Sequence, residues 1–176
     1  VGESESHLAI AGRFNQLTLW DLKTNQLRSV STGSSTNKDY IFTLASSDSK
    51  PNLLVTGDNQ GTIKIWNLRP CLTSKAKCEL VDEWTADPQA VRAVAITSDS
   101  CYLVSAGENG QAKLWSLNEQ GERSSQNLTG EVLIDSAKPL TSVDVIRIRD
   151  QILVTSGSEE RLVKLQRVQQ LPSDCR

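Results

Sequence analysis

The sequence predicts an all-β fold built from a repeated unit of four antiparallel strands. Four similar segments carry this prediction: Leu8–Leu22, Leu54–Leu68, Tyr102–Leu117 and Ile152–Val168. Each segment has an apolar strand that ends in glycine, a short polar turn and a second strand that alternates between apolar and polar residues. Three of the second strands close on tryptophan, and these tryptophans stand 46 and 49 residues apart. A period of roughly 40–50 residues is typical of stacked supersecondary units that cannot bury their apolar faces alone.

The second unit shows all four strands most clearly. They are predicted at Ile41–Ala45, Leu53–Thr56, Thr62–Trp66 and Glu79–Trp84. Turn-forming residues 46–52 and 57–61 separate the first three strands. In the third and fourth units the first three strands are expected at Val91–Ile96, Tyr102–Ser105, Gln111–Trp115, Leu140–Ile148, Ile152–Ser156 and Leu162–Gln166. No stretch has the 3.6-residue period of an amphipathic helix.

The unit boundaries leave the first repeat incomplete. The predicted units cover residues 1–31, 38–84, 88–128 and 138–171 within a single domain of residues 1–176. Residues before the strand that starts at Leu8 are too few to form an innermost strand. Because open β units leave strand edges and apolar faces in water, the missing parts are expected from the same gene product, a cleaved fragment or a second copy. The absence of methionine also suggests a piece of a longer product.

The repeated segments resemble the WD-repeat β-propeller family. The matching pieces are Leu17–Asp21, Ile63–Asn67 and Ala112–Ser116, each preceded by a small residue and glycine. The resemblance implies about four blades, with four antiparallel strands each, of a seven- or eight-bladed ring. It also implies a tryptophan-centred hydrogen-bond network, but the family's usual His and turn Asp are replaced, the latter by Gln60, Asn109 and Glu160. Stability is therefore expected to depend more on apolar packing.

The sequence offers no catalytic, cofactor-binding or metal-binding residues, so the protein is predicted not to be an enzyme. His7 is the only histidine and lies in a polar lead into a strand. The four cysteines lack zinc-ligand spacing, and reduced thiols in a cytoplasmic protein are expected, although Cys71 and Cys78 flank a loop that could bring them together. A net charge of −2 without a basic block argues against nucleic-acid binding, and no apolar run is long enough to span a membrane.

The resemblance implies protein partners that dock where the outer strand of one unit connects to the inner strand of the next. Those connections are expected at Ser31–Tyr40, Thr85–Arg92 and Gly130–Ser142. They supply the candidate partner-binding residues Lys38, Asp39, Tyr40, Asp87, Gln89, Arg92, Lys138 and Leu140. The favoured function is a non-catalytic interaction scaffold or sensing module. The alternatives are a ligand-sensing or enzyme-associated propeller domain of a larger protein, and a half-propeller that closes by homodimerisation.

Overall fold

The computed structural model describes residues 6–13, 16–30, 40–74, 76–125, 128–169 and 171, and these form antiparallel sheets and one short helix. Lys38 and Asp39 lie outside the described residues. In chain order the elements are β1 His7–Ala11, β2 Leu17–Asp21, β3 Gln26–Val30, β4 Ile41–Ser46, β5 Leu53–Asp58, β6 Thr62–Asn67, α1 Arg69–Thr73, β7 Glu79–Thr85, β8 Val91–Ile96, β9 Tyr102–Gly107, β10 Gln111–Ser116, β11 Glu131–Asp135, β12 Leu140–Ile148, β13 Gln151–Ser158 and β14 Val163–Val168.

The strands form four separate sheets, each a meander in which every strand pairs with its sequence neighbour. Sheet 1 contains β1 to β3, sheet 2 contains β4 to β7, sheet 3 contains β8 to β11, and sheet 4 contains β12 to β14. The predicted all-β class is confirmed, and the four sheets have the arrangement of a partial propeller. Sheets 2 and 3 have all four strands, whereas three strands are described in each of the outer two.

Two local features differ from the expectation. Residues 131–135 were assigned to a connection, but they form β11, the outer strand of sheet 3, which pairs with β10. The segment after β6 contains α1, a single helical turn that begins beside Pro70. The side chain of Asn67 accepts a 3.0 Å hydrogen bond from the backbone N–H of Arg69, which supports the start of that turn.

Neighbouring sheets pack face to face, and in sheets 2 and 3 the third strand supplies side chains to both faces. In sheet 2, Ile63 and Ile65 point toward sheet 3, while Trp66 points back and packs with Leu17 and Leu19 of sheet 1. Sheet 3 repeats the arrangement, because its Trp115 packs against the apolar residues of sheet 2. Alternation with a period of two therefore buries the apolar side chains on opposite faces of one strand.

The two end sheets each leave one of these faces uncovered. Val163 and Leu165 of β14 stand in the positions that are buried in the first three sheets, yet they are 80% and 66% exposed. At the other end Trp20 is only half-buried, beside the exposed Leu8 and Leu27. An apolar face of this kind is where a further sheet packs in a closed ring.

Part of the expected tryptophan network is present. The indole N–H of Trp66 donates to the hydroxyl of Thr56 at 3.2 Å, and that of Trp115 donates to the hydroxyl of Ser105 at 2.9 Å. In sheet 4 Gln166 occupies the tryptophan position, and the hydroxyl of the buried Ser156 has no hydrogen-bond partner among the described residues. The tryptophan–hydroxyl bond thus recurs in the two inner sheets.

An ion pair joins the last two sheets on the side of the β8–β9 turn. Arg147 of β12 places its Nη1 2.7 Å from Oδ2 of Asp99, and its guanidinium lies 5.5 Å from the ring centroid of Tyr102. Burial works to raise the pKa of Asp99, but hydrogen bonds from Thr97, Cys101 and Arg147 outweigh it and lower that pKa overall. The ionised pair therefore holds sheet 4 against sheet 3.

Replacing Trp115 with phenylalanine tests the buried tryptophan position. We expect Trp115→Phe to destabilise the protein by about 2–3 kcal/mol, because it removes core volume and leaves the hydroxyl of Ser105 unpaired. The matched change Trp20→Phe is expected to cost less than about 1 kcal/mol, because Trp20 is half-buried on an uncovered face. The measurement is the urea midpoint at unchanged m-value. If both variants lost the same stability, Trp115 would not be the more deeply buried tryptophan of the two.

Candidate protein-binding face

Each innermost strand carries a β-bulge at its second residue. The register of β4 against β5, of β8 against β9 and of β12 against β13 shifts at this point, which leaves Phe42, Arg92 and Thr141 as the extra residues. A bulge re-aims the side chain of the extra residue and is common beside functional sites. The three bulges occupy equivalent positions in successive sheets, so they mark one common face of the molecule.

The tight turns between the second and third strands hold this face together. In sheet 2 the carbonyl oxygen of Gly61 accepts hydrogen bonds from the backbone N–H groups of Ala86 and Asp87 at 2.8 and 3.2 Å. Gly61 has a φ of +79°, and a Cβ there would lie 1.9 Å from the carbonyl oxygen of Asp87. Only glycine fits a turn this close to the connection. The connection between sheets 2 and 3 is therefore fastened to the turn beneath it.

Charged and aromatic side chains form a continuous row across the first three sheets. Tyr40 and Phe42 stack with ring centroids 6.3 Å apart. The guanidinium of Arg13 lies 5.6 Å from the ring centroid of Tyr40, and that of Arg92 lies 5.2 Å from the ring centroid of Phe42. Arg92 also pairs with Glu108 through an Nη2–Oε1 distance of 2.9 Å. We call these five residues the Arg–aromatic strip.

The backbone around Tyr40 fixes one end of the strip. The N–H of Tyr40 donates to Oδ1 of Asn59 at 2.7 Å, and the N–H of Asn59 donates back to the carbonyl oxygen of Tyr40 at 3.0 Å. Tyr40 also forms an isolated β-bridge with Arg13, and the N–H of Ile41 donates to the carbonyl oxygen of Gly12 at 3.0 Å. These bonds hold Tyr40 against both sheet 1 and sheet 2.

The structure brings some of the predicted site residues together and separates others from the surface. Tyr40 and Arg92 belong to the Arg–aromatic strip, while Gln89 and Lys138 are exposed elsewhere on the connections. Leu140 is 1% exposed and packs in the core between sheets 3 and 4, so it does not line a binding surface. Asp87 is 4% exposed, and it too is withdrawn from solvent.

Asp87 has a structural position inside the connection. Its Oδ1 accepts the backbone N–H of Gln89 at 2.7 Å, and its carboxylate packs against Gly107, where a Cβ would lie 1.7 Å from Oδ2. Burial raises the pKa of Asp87 because it disfavours the charged form, while the N–H groups of Gln89 and Asn109 and the charge of Lys113 act in the opposite direction. The carboxylate shapes the loop and does not face a partner.

Phe42, Arg13 and Glu108 were not among the predicted site residues. Phe42 is 45% exposed although it lies inside an apolar strand, because the bulge turns it away from the core. One signal in the sequence could have identified it: Phe42 and Arg92 both stand one residue after the buried start of their inner strands. Glu108 and Arg13 both follow directly on the Gly-ended strand segments.

Outside the strip, the described residues include a groove and no cluster of metal ligands. No group of three or more His, Cys, Asp or Glu side chains in the described ranges is arranged to hold a metal ion. A groove of about 830 Å³ between β7 and residues 119–122 is lined partly by Lys50, Leu80 and Glu122, and none of its lining residues belongs to the Arg–aromatic strip. Within the described part of the chain, no helix has the length and apolarity needed to cross a membrane.

Comparison with protein families identifies two repeat units within the chain. Residues 25–67 and 78–116 match the family described as WD domain, G-beta repeat. These two ranges include most of sheets 2 and 3, together with β3.

Two solved structures share the fold. One is a chain of a humanized mutant of the Chaetomium thermophilum Polycomb Repressive Complex 2 bound to the inhibitor GSK126, with a TM-score of 0.70 and 22% identity over 96% of this chain and 36% of that chain. The other is U3-55K, with a TM-score of 0.66 and 16% identity over 92% of this chain and 48% of that chain. This chain therefore spans less than half of either neighbour, and at these identities the similarity concerns the fold.

The packing of Asp87 against Gly107 can be tested by substitution and rescue. We expect Gly107→Ala to destabilise the protein by about 2 kcal/mol or more, because the added methyl group overlaps the Asp87 carboxylate. Adding Asp87→Ala to that variant should recover part of the loss, since the overlapping atoms are then absent. Thermal unfolding of the two single variants and the double variant gives the coupling. Strictly additive losses would show that the two side chains do not meet.

Proposed function

Because the chain belongs to the WD-repeat β-propeller family, we propose that it is a non-catalytic protein-interaction module whose binding surface is the Arg–aromatic strip. The single observation that carries this proposal is the exposed Phe42, stacked between Tyr40 and the guanidinium of Arg92 on a bulged strand. Aromatic and arginine side chains dominate the energetics of protein interfaces. Phe42 and Arg92 stand on strands, so little backbone conformational entropy is lost there when a partner binds.

The packing of the strip favours contact with a protein segment over binding of a cationic group. A bare aromatic cluster could hold a cationic group over its ring faces. In this strip the guanidinium groups of Arg13 and Arg92 already lie over Tyr40 and Phe42. The proposal is therefore a contact surface for a folded or extended protein segment. One of the similar structures is a complex by its own description, which fits an assembly role for this fold.

The uncovered end faces call for a second kind of protein contact. We propose that further sheets cover the face with Trp20 and Leu27 at one end and the face with Val163 and Leu165 at the other. The same gene product, a cleaved fragment and a second copy of the chain remain the three possible sources. Each would bury the faces as the inner sheets bury theirs.

A cytoplasmic location, expected from the sequence, stays a prediction. The Cys71–Cys78 disulfide weighs against it, because disulfides are rare in proteins that remain in a reducing compartment. The expectation of reduced thiols was wrong for Cys71, Cys78 and Cys101, because all three are disulfide-bonded. Fractionation of the source cells with detection of the endogenous protein decides the location.

Alanine substitution in the strip tests the proposed binding surface. Phe42→Ala and Arg92→Ala are expected to weaken the binding of a native partner by about 2 kcal/mol each, which is about 30-fold in Kd. Arg92→Lys should weaken binding nearly as much, because an ammonium group, unlike a guanidinium, has no flat face to stack on the ring of Phe42. The measurement is quantitative co-purification from the source cells, followed by titration of the partners that it identifies.

The matched controls are Gln89→Ala and Lys138→Ala, which change exposed residues of the same connections outside the strip. Both are expected to retain the partners that the strip variants lose, and all variants should show unchanged unfolding midpoints. If the strip variants retain every partner, the binding surface lies elsewhere. If the controls lose the partners as well, binding depends on the connections and not on the strip.

A further inference from the structure

The segment that joins β6 to β7 covers the outer end of the core between sheets 1 and 2. Cys71, at the centre of α1, is 2% exposed and belongs to the same buried cluster as Leu17, Leu19 and Val30. Leu72 and Cys78 pack against that cluster from the outside. We call residues 68–74 and 76–78 the clasp. It extends from sheet 2 and covers apolar side chains of sheet 1.

A side chain of sheet 1 is bonded directly to the clasp. Arg28 of β3 donates from Nη1 to the carbonyl oxygen of Cys71 and, at 2.7 Å, to the carbonyl oxygen of Ser74. Both acceptors are backbone atoms, so the bonds depend on the conformation of the clasp and not on one side chain. The Cys71–Cys78 disulfide closes the clasp across seven positions and thereby restricts that conformation.

Among the described residues, sheet 1 lacks the innermost strand through which the other three sheets are joined. The innermost strands β4, β8 and β12 pack side by side and join sheets 2, 3 and 4 near the centre. Sheet 1 has no fourth, innermost strand among its described residues. Its attachment to sheet 2 therefore rests on the outer core cluster, the contacts of Arg28, and the bonds near Tyr40.

We propose that Cys71 and Cys78 form a reversible dithiol–disulfide site, which fixes sheet 1 to sheet 2 when oxidised and releases it when reduced by a dithiol. Cys78 is half-buried and stands between the exposed Lys77 and Glu79, whereas Cys71 is buried, so Cys78 is the more accessible of the two cysteines. Disulfides that solvent can reach are the ones that undergo exchange. This proposal concerns the attachment of a sheet and does not depend on the proposed binding surface.

The exchange balances with a dithiol as the reductant. Its thiolate attacks Sγ of Cys78, the bond between the two sulfurs breaks, and Cys71 leaves as a thiolate that takes a proton from water. The second thiol of the reductant then attacks the mixed disulfide and releases Cys78. The reductant ends as a disulfide, and two electrons have passed to the protein. Without the covalent closure, the carbonyl groups of the clasp are no longer held opposite Arg28.

Hydrogen exchange of the full chain, measured by mass spectrometry, tests whether reduction of the Cys71–Cys78 disulfide releases sheet 1. Oxidised protein is compared with protein reduced by dithiothreitol under native conditions. Reduction is expected to accelerate exchange on the order of tenfold in β3 and in residues 69–74, because both lose the restraint of the closed clasp. The strand β10, at the centre of sheet 3, is the internal control for the double variant described next, in which it should not change.

A double variant isolates this disulfide. Cys101 is disulfide-bonded as well, so dithiothreitol alone does not act on the clasp only. Cys71→Ser with Cys78→Ser leaves Cys101 unchanged and is expected to reproduce the faster exchange of β3 without any reductant. Arg28→Gln, in oxidised protein, should accelerate exchange in β3 alone, because its shorter side chain cannot bridge the two carbonyl groups.

Four results would overturn the proposal. The first is a clasp disulfide that resists dithiothreitol in the folded protein, shown by trapping of free thiols. The second is unchanged exchange of β3 after reduction. The third is exchange that rises equally in β3 and β10 of the Cys71→Ser, Cys78→Ser variant, which would make the bond a general restraint. The fourth is an Arg28→Gln protein that exchanges like the unaltered one, which would remove the link between clasp and sheet.

Discussion

The structure depends on the burial of both faces of each sheet. A third strand such as β6 sends two isoleucines toward the next sheet and a tryptophan toward the previous one, so an inner sheet is satisfied only when it has two neighbours. Neither face could be left in water without exposing several large apolar side chains. Sheets 2 and 3 meet this condition within the chain, and the end sheets meet it on one side only.

This constraint explains why bulges matter for function. A strand that is buried on both faces has no side chain to offer a partner, since every position points into one interface or the other. The extra residue of a bulge is released from that alternation. Phe42 and Arg92 are such residues, and they lie next to each other across the boundary of sheets 2 and 3. At these two positions the surface is thus carried by strands of the two inner sheets.

Much of the fold could be predicted because alternation and glycine turns are local signals. They located β4 to β6 and β8 to β10 almost to the residue. The strand β11 was missed because Val132, Leu133 and Ile134 follow one another without alternation, after a long polar insertion. The candidate site was harder to predict. Position in a connection does not reveal the direction of a side chain, so the buried Asp87 and Leu140 were selected with the exposed Gln89.

The Cys71–Cys78 bond makes the attachments of the two end sheets chemically different. Sheet 1 meets its neighbour through a segment that a disulfide closes, whereas sheet 4 is joined to sheet 3 by the packing of β12 on β8 and by the pair of Arg147 with Asp99. Thiols can cleave a disulfide, but they do not act on apolar packing or on an ion pair. Chemistry at this one bond is therefore addressed to the amino-terminal edge of the array.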